Sequence, residues 1–210
     1  MSYAVKEIFK TLQGEGAHSG RTAVFCRFAG CNLWSGREQD RATAICSFCD
    51  TDFVGIDGTG GGRFAEADAL ADAVEREWQG ARDGRYVVLT GGEPLLQVDT
   101  ALVDALHARS FEIGVETNGT QDAPAGLDWI CVSPKSDAPV KLTCGHELKL
   151  VYPQPKAPPE AFAGLDFDHF FLQPMDSSDA EANLAATIKY CTENPRWRLS
   201  LQSHKMNGIR

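Results

Sequence analysis

The sequence has no apolar run approaching the roughly 18–20 residues that a membrane-spanning helix needs. Its opening stretch, Met1 to Lys10, has no apolar signal core, so no secretory leader is expected. It has no surplus of positive charge. Twenty Lys and Arg stand against 29 Asp and Glu, a formal net charge of -9. A general phosphate-binding surface is thereby excluded, and neither nucleic acid nor a membrane is an expected partner. There is no internal repeat and no long low-complexity tract, which excludes a repeat array. Asp57 to Gly62 is rich in glycine but lacks a preceding strong strand and a P-loop lysine, and reads as a flexible surface loop. The most consequential absence concerns metal ligands. Cys31, Cys46 and Cys49 cluster, but no further Cys or His follows at a spacing that completes a four-ligand structural site.

What remains is an ordinary globular composition, with 43% hydrophobic and 23% charged residues in 210. One domain spanning residues 1–210 is expected. The seven cysteines are odd in number and three have a metal-like spacing, so a reducing cytoplasm suits the chain better than a disulfide framework. Cys26 and Cys131 fall in apolar runs and read as small core residues. Cys144 and Cys191 lie apart.

Hydrophobic patterning predicts strands alternating with helices. Strands are expected at Thr22–Phe28, Tyr86–Leu89, Phe111–Glu116, Trp129–Ser133, Glu147–Val151, His169–Leu172 and Trp197–Leu201. Helices are expected from Phe64 to Trp78, after the cap residue Asp99, and from Asp179 to Cys191 with Leu184 and Ile188 facing inward. Mostly apolar strands between helices imply a parallel sheet buried on both faces. Several strands end in polar or glycine-bearing segments, and in parallel α/β folds that end carries the site. The segments after Asn118 and after Lys135 are too short and proline-rich for full crossover helices. The expected fold class is therefore α/β, an incomplete (β/α) barrel.

A cubic iron–sulfur cluster held by only three thiolates keeps one iron open. Three clustered cysteines, followed by Thr90-Gly91-Gly92-Glu93-Pro94 after a strand, resemble the radical S-adenosylmethionine (SAM) superfamily. The usual spacing there is three residues, then two. Here the first gap is fourteen, so residues 32–45 read as an insertion in the cluster loop. The segment Glu7 to Gly16 narrows the resemblance. With Arg27 to Leu33, Cys49-Asp50-Thr51, Glu116 to Gly119, Ser133-Pro134-Lys135 and Leu172 to Met175, it is similar to 7-carboxy-7-deazaguanine synthases.

That resemblance implies a [4Fe–4S] cluster on Cys31, Cys46 and Cys49, SAM, Mg2+ on Thr51, and 6-carboxy-5,6,7,8-tetrahydropterin as substrate. It places SAM against Phe48, Cys49, Asp50, Gly92, Ser133, Pro134, Lys135, Gln173, Pro174, Met175 and Asp176. It also implies that the Gly-Gly-Glu edge presents carbonyls and the Glu93 carboxylate to the SAM ammonium. The pterin's N–H edge calls for acceptors, among Glu15, Glu116 and the carbonyls of Leu12, Gln13 and Gly14. Its carboxylate calls for a cation, and Arg27 offers a two-point contact. Thr90, His204 and Arg210, the last through its carboxylate, complete the implied substrate site. A homodimer and an electron donor such as flavodoxin are implied as well. Two alternatives stay open on the cysteines alone: an activase that installs a glycyl radical on a partner, and a zinc-stabilised binding module completed by His18 or Cys144.

Overall fold

The computed structural model describes residues 2–210. Nine strands join one sheet. They are β1 (Tyr3–Leu12), β2 (Thr22–Phe28), β3 (Gly62–Phe64), β4 (Tyr86–Gly91), β5 (Glu112–Thr117), β6 (Trp129–Val132), β7 (Cys144–Tyr152), β8 (Asp166–Pro174) and β9 (Trp197–Leu199). Their spatial order is β3-β1-β2-β4-β5-β6-β7-β8-β9, so the sheet has two edges and the barrel is not closed. From β2 to β9 all neighbours are parallel; β1 runs antiparallel to both β2 and β3. The incomplete barrel expected from the sequence is therefore present. Two strands were not expected from the sequence. β1 is dense in charge, and β3 has only three residues.

The main core lies on the outer side of the sheet. Helix α1 (Ala67–Trp78) buries Leu70, Ala71, Val74 and Trp78, and α2 (Thr100–Ala108) buries Leu102, Val103 and Leu106. Both pack on one cluster that includes Val5, Ile8, Val24, Cys26, Val87, Leu89, Ile113 and Val115. Each such aliphatic side chain, fully buried, contributes about 1.5–3 kcal/mol. The Asp99 carboxylate caps α2, accepting from the Leu102 N–H at 3.0 Å, and also receives the Tyr3 hydroxyl at 2.7 Å.

No helix connects β5 to β6 or β6 to β7. The outer core accordingly breaks there, and a second cluster forms around Val132, Leu148, Leu150, Phe170, Leu172 and Trp197. It packs beneath α3 (Ala180–Glu193). The inward face expected for α3 is corrected. Leu184 is half-buried and Ile188 is 46% exposed, while Asn183 and Thr187 are buried. Asn183 Nδ2 donates to the Met175 carbonyl at 2.9 Å and to Ser177 Oγ at 3.1 Å. Those bonds turn that face of the helix to the sheet and Ile188 to solvent.

The glycine-rich segment is also corrected. It is not a free surface loop but lies along β1. Ile8 N–H donates to the Thr59 carbonyl at 2.7 Å and Gly58 N–H to the Lys6 carbonyl at 2.9 Å. A side chain on Gly58 or Gly61 would strike the Lys6 carbonyl oxygen, so the close approach requires glycine.

Within β1 the pairing with β2 slips between Val5 and Glu7. One extra residue flips the side-chain alternation. Tyr3, Val5 and Ile8 therefore point to the outer core, while Glu7, Phe9, Thr11 and Gln13 line the inner cavity.

Candidate active site inside the open barrel

The inner face of the sheet and the loops at its carboxyl ends surround a cavity of about 360 Å³. The three cysteines line it at one end, together with Leu33, Phe48 and Phe53. Cys31 follows β2, and its loop is held by the Gly-Gly-Glu segment. Glu93 N–H donates to the Gly30 carbonyl at 2.9 Å. A methyl on Gly92 would overlap that carbonyl and press on Cys31 Cβ at 2.8 Å. The glycine is thus what lets the end of β4 lie against the first cysteine.

The expectation that Glu93 offers its carboxylate to a ligand is corrected. Glu93 is fully buried and does not line the cavity. Its Oε1 accepts from Leu95 N–H at 3.0 Å and from the Thr117 hydroxyl at 2.7 Å; its Oε2 accepts from Asn118 N–H at 2.8 Å. Burial pushes its carboxyl above the usual range, and these donors oppose that. Its work is to join the ends of β4 and β5.

Residues 32–45 fold back over the cysteine loop. Trp34 is buried edge-on against Phe53, and the Arg41 guanidinium lies over the Trp34 ring at 4.1 Å. Arg41 Nη1 also donates to the carbonyls of Ser47 and Cys49, both at 3.0 Å. The Cys46 thiol donates to Cys49, which draws Cys49 down to about 6 and leaves Cys46 raised. Burial raises Cys31. Neither His18 nor Cys144 lines this cavity, so the zinc module lacks the fourth ligand proposed for it. His18 packs on Trp129, and its Nδ1 lies 3.1 Å from the Tyr86 hydroxyl; Cys144 is exposed. Among the described residues no three His, Cys, Asp or Glu side chains gather tightly enough for a single metal ion. Three thiols packed in one cluster, with the fourth cavity cysteine, Cys131, turned to Glu147 instead, are the donor set of a cluster with an open iron.

The remaining expected site residues reach the same cavity, with one exception. Phe48, Asp50, Thr51, Gly92, Ser133, Lys135, Gln173, Pro174, Met175 and Asp176 line it. Lys135 Nζ donates to Ser133 Oγ. Pro134 does not line it; its carbonyl instead accepts from Gln154 Nε2 at 3.3 Å. Leu12, Gln13, Gly14, Glu15, Arg27, Thr90, Glu116, His204 and Arg210 line it as well. Cys131, expected as core, is buried as predicted but also borders the cavity. Arg27 Nε donates to Glu7 Oε1 at 2.9 Å, and its two terminal nitrogens have no hydrogen-bond partner among the described residues. Gln13 Nε2 donates to Glu116 Oε1 at 2.8 Å. The Arg210 backbone carbonyl accepts from the Thr11 hydroxyl at 2.8 Å, and its guanidinium reaches Glu7.

Glu7, Lys149, Gln202 and Lys205 are among the lining residues that were not picked out from the sequence. Glu7 belongs to β1, which patterning did not reveal. Lys149 sits in β7, where Glu147-Leu148-Lys149-Leu150 alternates charge with leucine; that alternation on a buried strand was the available signal. Gln202 and Lys205 flank His204 around the short helix α4 (Ser203–Asn207), and all three line the cavity. Ser203 N–H and Oγ both donate to the Gly14 carbonyl, at 3.0 and 2.9 Å, and Lys205 bridges Asp50 at 2.7 Å and Asp176 at 2.5 Å.

Comparison with known proteins agrees with this geometry. Residues 39–145 match the model of the radical SAM superfamily. The 7-carboxy-7-deazaguanine synthase of Bradyrhizobium diazoefficiens is 69% identical over the whole of both chains. That of Caulobacter vibrioides is 66% identical, again over all of both. The crystal structure of QueE from Escherichia coli superposes with a TM-score of 0.72 at 29% identity, covering 96% of this chain and 94% of that one. Full-length identity at this level, on a sheet that gathers three cysteines and a polar pocket into one cavity, shows that the chain belongs to the 7-carboxy-7-deazaguanine synthase family of radical SAM enzymes.

Proposed function

We propose that this enzyme converts 6-carboxy-5,6,7,8-tetrahydropterin to 7-carboxy-7-deazaguanine with loss of ammonia. It thereby acts as a carbon–nitrogen lyase in the route to 7-deazapurines such as queuosine. The observation that carries the reading is the single cavity lined by three clustered thiols together with carboxylates, amides and an arginine.

Cys31, Cys46 and Cys49 would hold the [4Fe–4S] cluster, and Phe48 to Asp50, Gly92, Ser133, Lys135 and Gln173 to Asp176 would hold SAM. When bound, that pair supplies the reducing electron and the 5′-deoxyadenosyl radical that takes the C6 hydrogen. The chain's own part is binding, orientation and exclusion of water. Arg27 is suited to the substrate carboxylate. Glu7 fixes its Nε and leaves two parallel N–H groups facing the cavity. Glu116 Oε2 has no hydrogen-bond partner among the described residues, and so can accept an N–H of the aminopyrimidinone edge. Helix α4, tied to Gly14, Asp50 and Asp176, adds His204 and Lys205 to the cavity wall.

Mg2+ belongs to the proposal through Thr51. Its residue lines the cavity beside Cys49, and its hydroxyl makes no hydrogen bond among the described residues. A magnesium ion needs few protein oxygens when substrate and water complete its shell. The flavodoxin-type donor, the homodimer and the cytoplasmic location rest on the resemblance alone. No helix is long and apolar enough to cross a membrane.

Anaerobically reconstituted enzyme, given SAM, Mg2+, reductant and the carboxytetrahydropterin, should form 7-carboxy-7-deazaguanine and one ammonia per product. SAM should not be consumed in proportion. Absence of product under these conditions, with an intact cluster, would reject the substrate.

A further inference from the structure

Strand β7 carries a lysine where the wall of a parallel sheet calls for an apolar side chain. Lys149 is only 5% exposed, between Leu148 and Leu150, and it turns inward to the cavity. A buried ammonium requires countercharge. Glu15, from the turn after β1, lies 2.6 Å from Nζ; Glu116, on β5, lies 3.7 Å away. Glu147 on β7 and the Cys131 thiol on β6 also face it, and His204 on α4 faces Glu15.

The oxygens of this group are almost all spoken for. Glu147 accepts from Ala17 N–H at 3.0 Å and from the Cys131 thiol at 3.4 Å. Glu15 Oε2 takes Lys149, and its Oε1 takes Gln173 Nε2 at 3.2 Å and Gln202 Nε2 at 3.0 Å. Glu116 Oε1 takes Gln13 Nε2 and faces Lys149. One oxygen is left over, Glu116 Oε2, on a residue that lines the cavity.

We propose that Lys149 is a positioning residue for substrate recognition: its ammonium, set between Glu15 and Glu116, holds both carboxylates in place, so that Glu116 Oε2 accepts an N–H from the aminopyrimidinone edge of the substrate. The proposal rests on the pterin reading above. Without the cation, Glu15 takes up a proton at higher pH and Glu116 loses the countercharge that fixes it, so the acceptor the pterin edge needs is no longer held in place. The direction of the ionisation agrees. Burial alone pushes the Lys149 ammonium down, but the charges of Glu116 and Glu15 hold it well above its usual range. Burial pushes Glu15 up, and Lys149 outweighs that, leaving Glu15 below the usual carboxylate range. Lys149 acts through its neighbours and need not touch the substrate.

The test titrates reconstituted holoenzyme, with SAM and without reductant, with 6-carboxypterin across neutral and mildly acidic pH. Lys149→Met should weaken pterin binding about tenfold or more at neutral pH and move its acidic limb upward by about one pH unit or more. Lys149→Arg should keep the wild-type limb. SAM affinity should fall less than pterin affinity in both, because Lys149 reaches the expected SAM residues only through Glu15 and Gln173. Weakening by one factor at every pH, a limb that Lys149→Arg fails to keep, or equal loss of SAM would show that Lys149 only supports the fold. If Lys149→Met does not fold, Lys149→Met with Glu15→Gln removes one charge of each sign. That double variant should bind pterin more tightly at neutral than at acidic pH, and a flat profile overturns the role. A wild-type enzyme that ignores 6-carboxypterin at every pH overturns the pterin reading itself, and the Lys149 role with it.

Discussion

Arg27 and Glu7 show how one ion pair can prepare a binding site. The pair uses only Nε of the guanidinium and Glu7 is shared with Arg210, so positive charge remains while the two-point face stays open. Arg27→Ala should cost about 2–5 kcal/mol of pterin binding, the scale for truncating one partner of a buried charge pair. SAM binding should hardly change. Equal weakening of both ligands, measured by titration, would mean that Arg27 supports the wall rather than the substrate. Thr51 makes the complementary case. Its hydroxyl has no loop partner among the described residues, so Thr51→Val removes an oxygen without removing an internal hydrogen bond. That variant should keep SAM affinity, turn over slowly, and lose its activation by added Mg2+. An unchanged magnesium activation curve would place the ion elsewhere.

At the scale of elements, close backbone approach decides where the cysteines sit. The end of β4 touches the Cys31 loop because Gly92 has no side chain. Gly92→Ala puts a methyl against backbone, which cannot swing aside as a flexible side chain does. The Cys31 loop must then move, and reconstituted iron per chain should fall well below that of the wild type while the secondary structure persists by circular dichroism. Full iron occupancy in Gly92→Ala would contradict this use of the glycine. The β1 register slip works in the same way on a larger piece. It delivers Glu7, Phe9 and Thr11 to the cavity and Ile8 to the core, although all lie on one continuous strand.

For the whole molecule, a polar inner face and an apolar outer face divide the tasks, and the division leaves a mark on stability. Glu15 is held below its ordinary value in the folded state, chiefly because Lys149 outweighs burial. A lowered carboxyl contributes stability above the unfolded value and loses it as pH falls through the folded one. The melting temperature of the wild type should therefore drop on acidification below the ordinary glutamate range, and Glu15→Gln should flatten that acid limb. An acid limb of the same steepness in both would remove Glu15 from the account. Much of this architecture was legible in the sequence. The parallel strands, the missing crossover helices and the sites at strand ends follow from short apolar runs and their polar ends. Every expected cluster, magnesium and substrate residue reaches the cavity, and Pro134 alone of the SAM set does not. What sequence did not reveal had physical causes. A register slip hides the alternation of β1. Glu93 is consumed by donors from β5 that no local pattern announces. The face of α3 is chosen by an asparagine bonding to a distant carbonyl, not by its isoleucine. The most direct measurement of the central claim is an anomalous-diffraction map of the holoenzyme crystallised anaerobically with SAM and 6-carboxypterin. Iron peaks bounded by Cys31, Cys46 and Cys49 alone, with the pterin in the same cavity, its carboxylate on Arg27 and its N–H edge on Glu116, are the expected result. A fourth protein ligand on the iron, or a pterin bound outside this cavity, would contradict it.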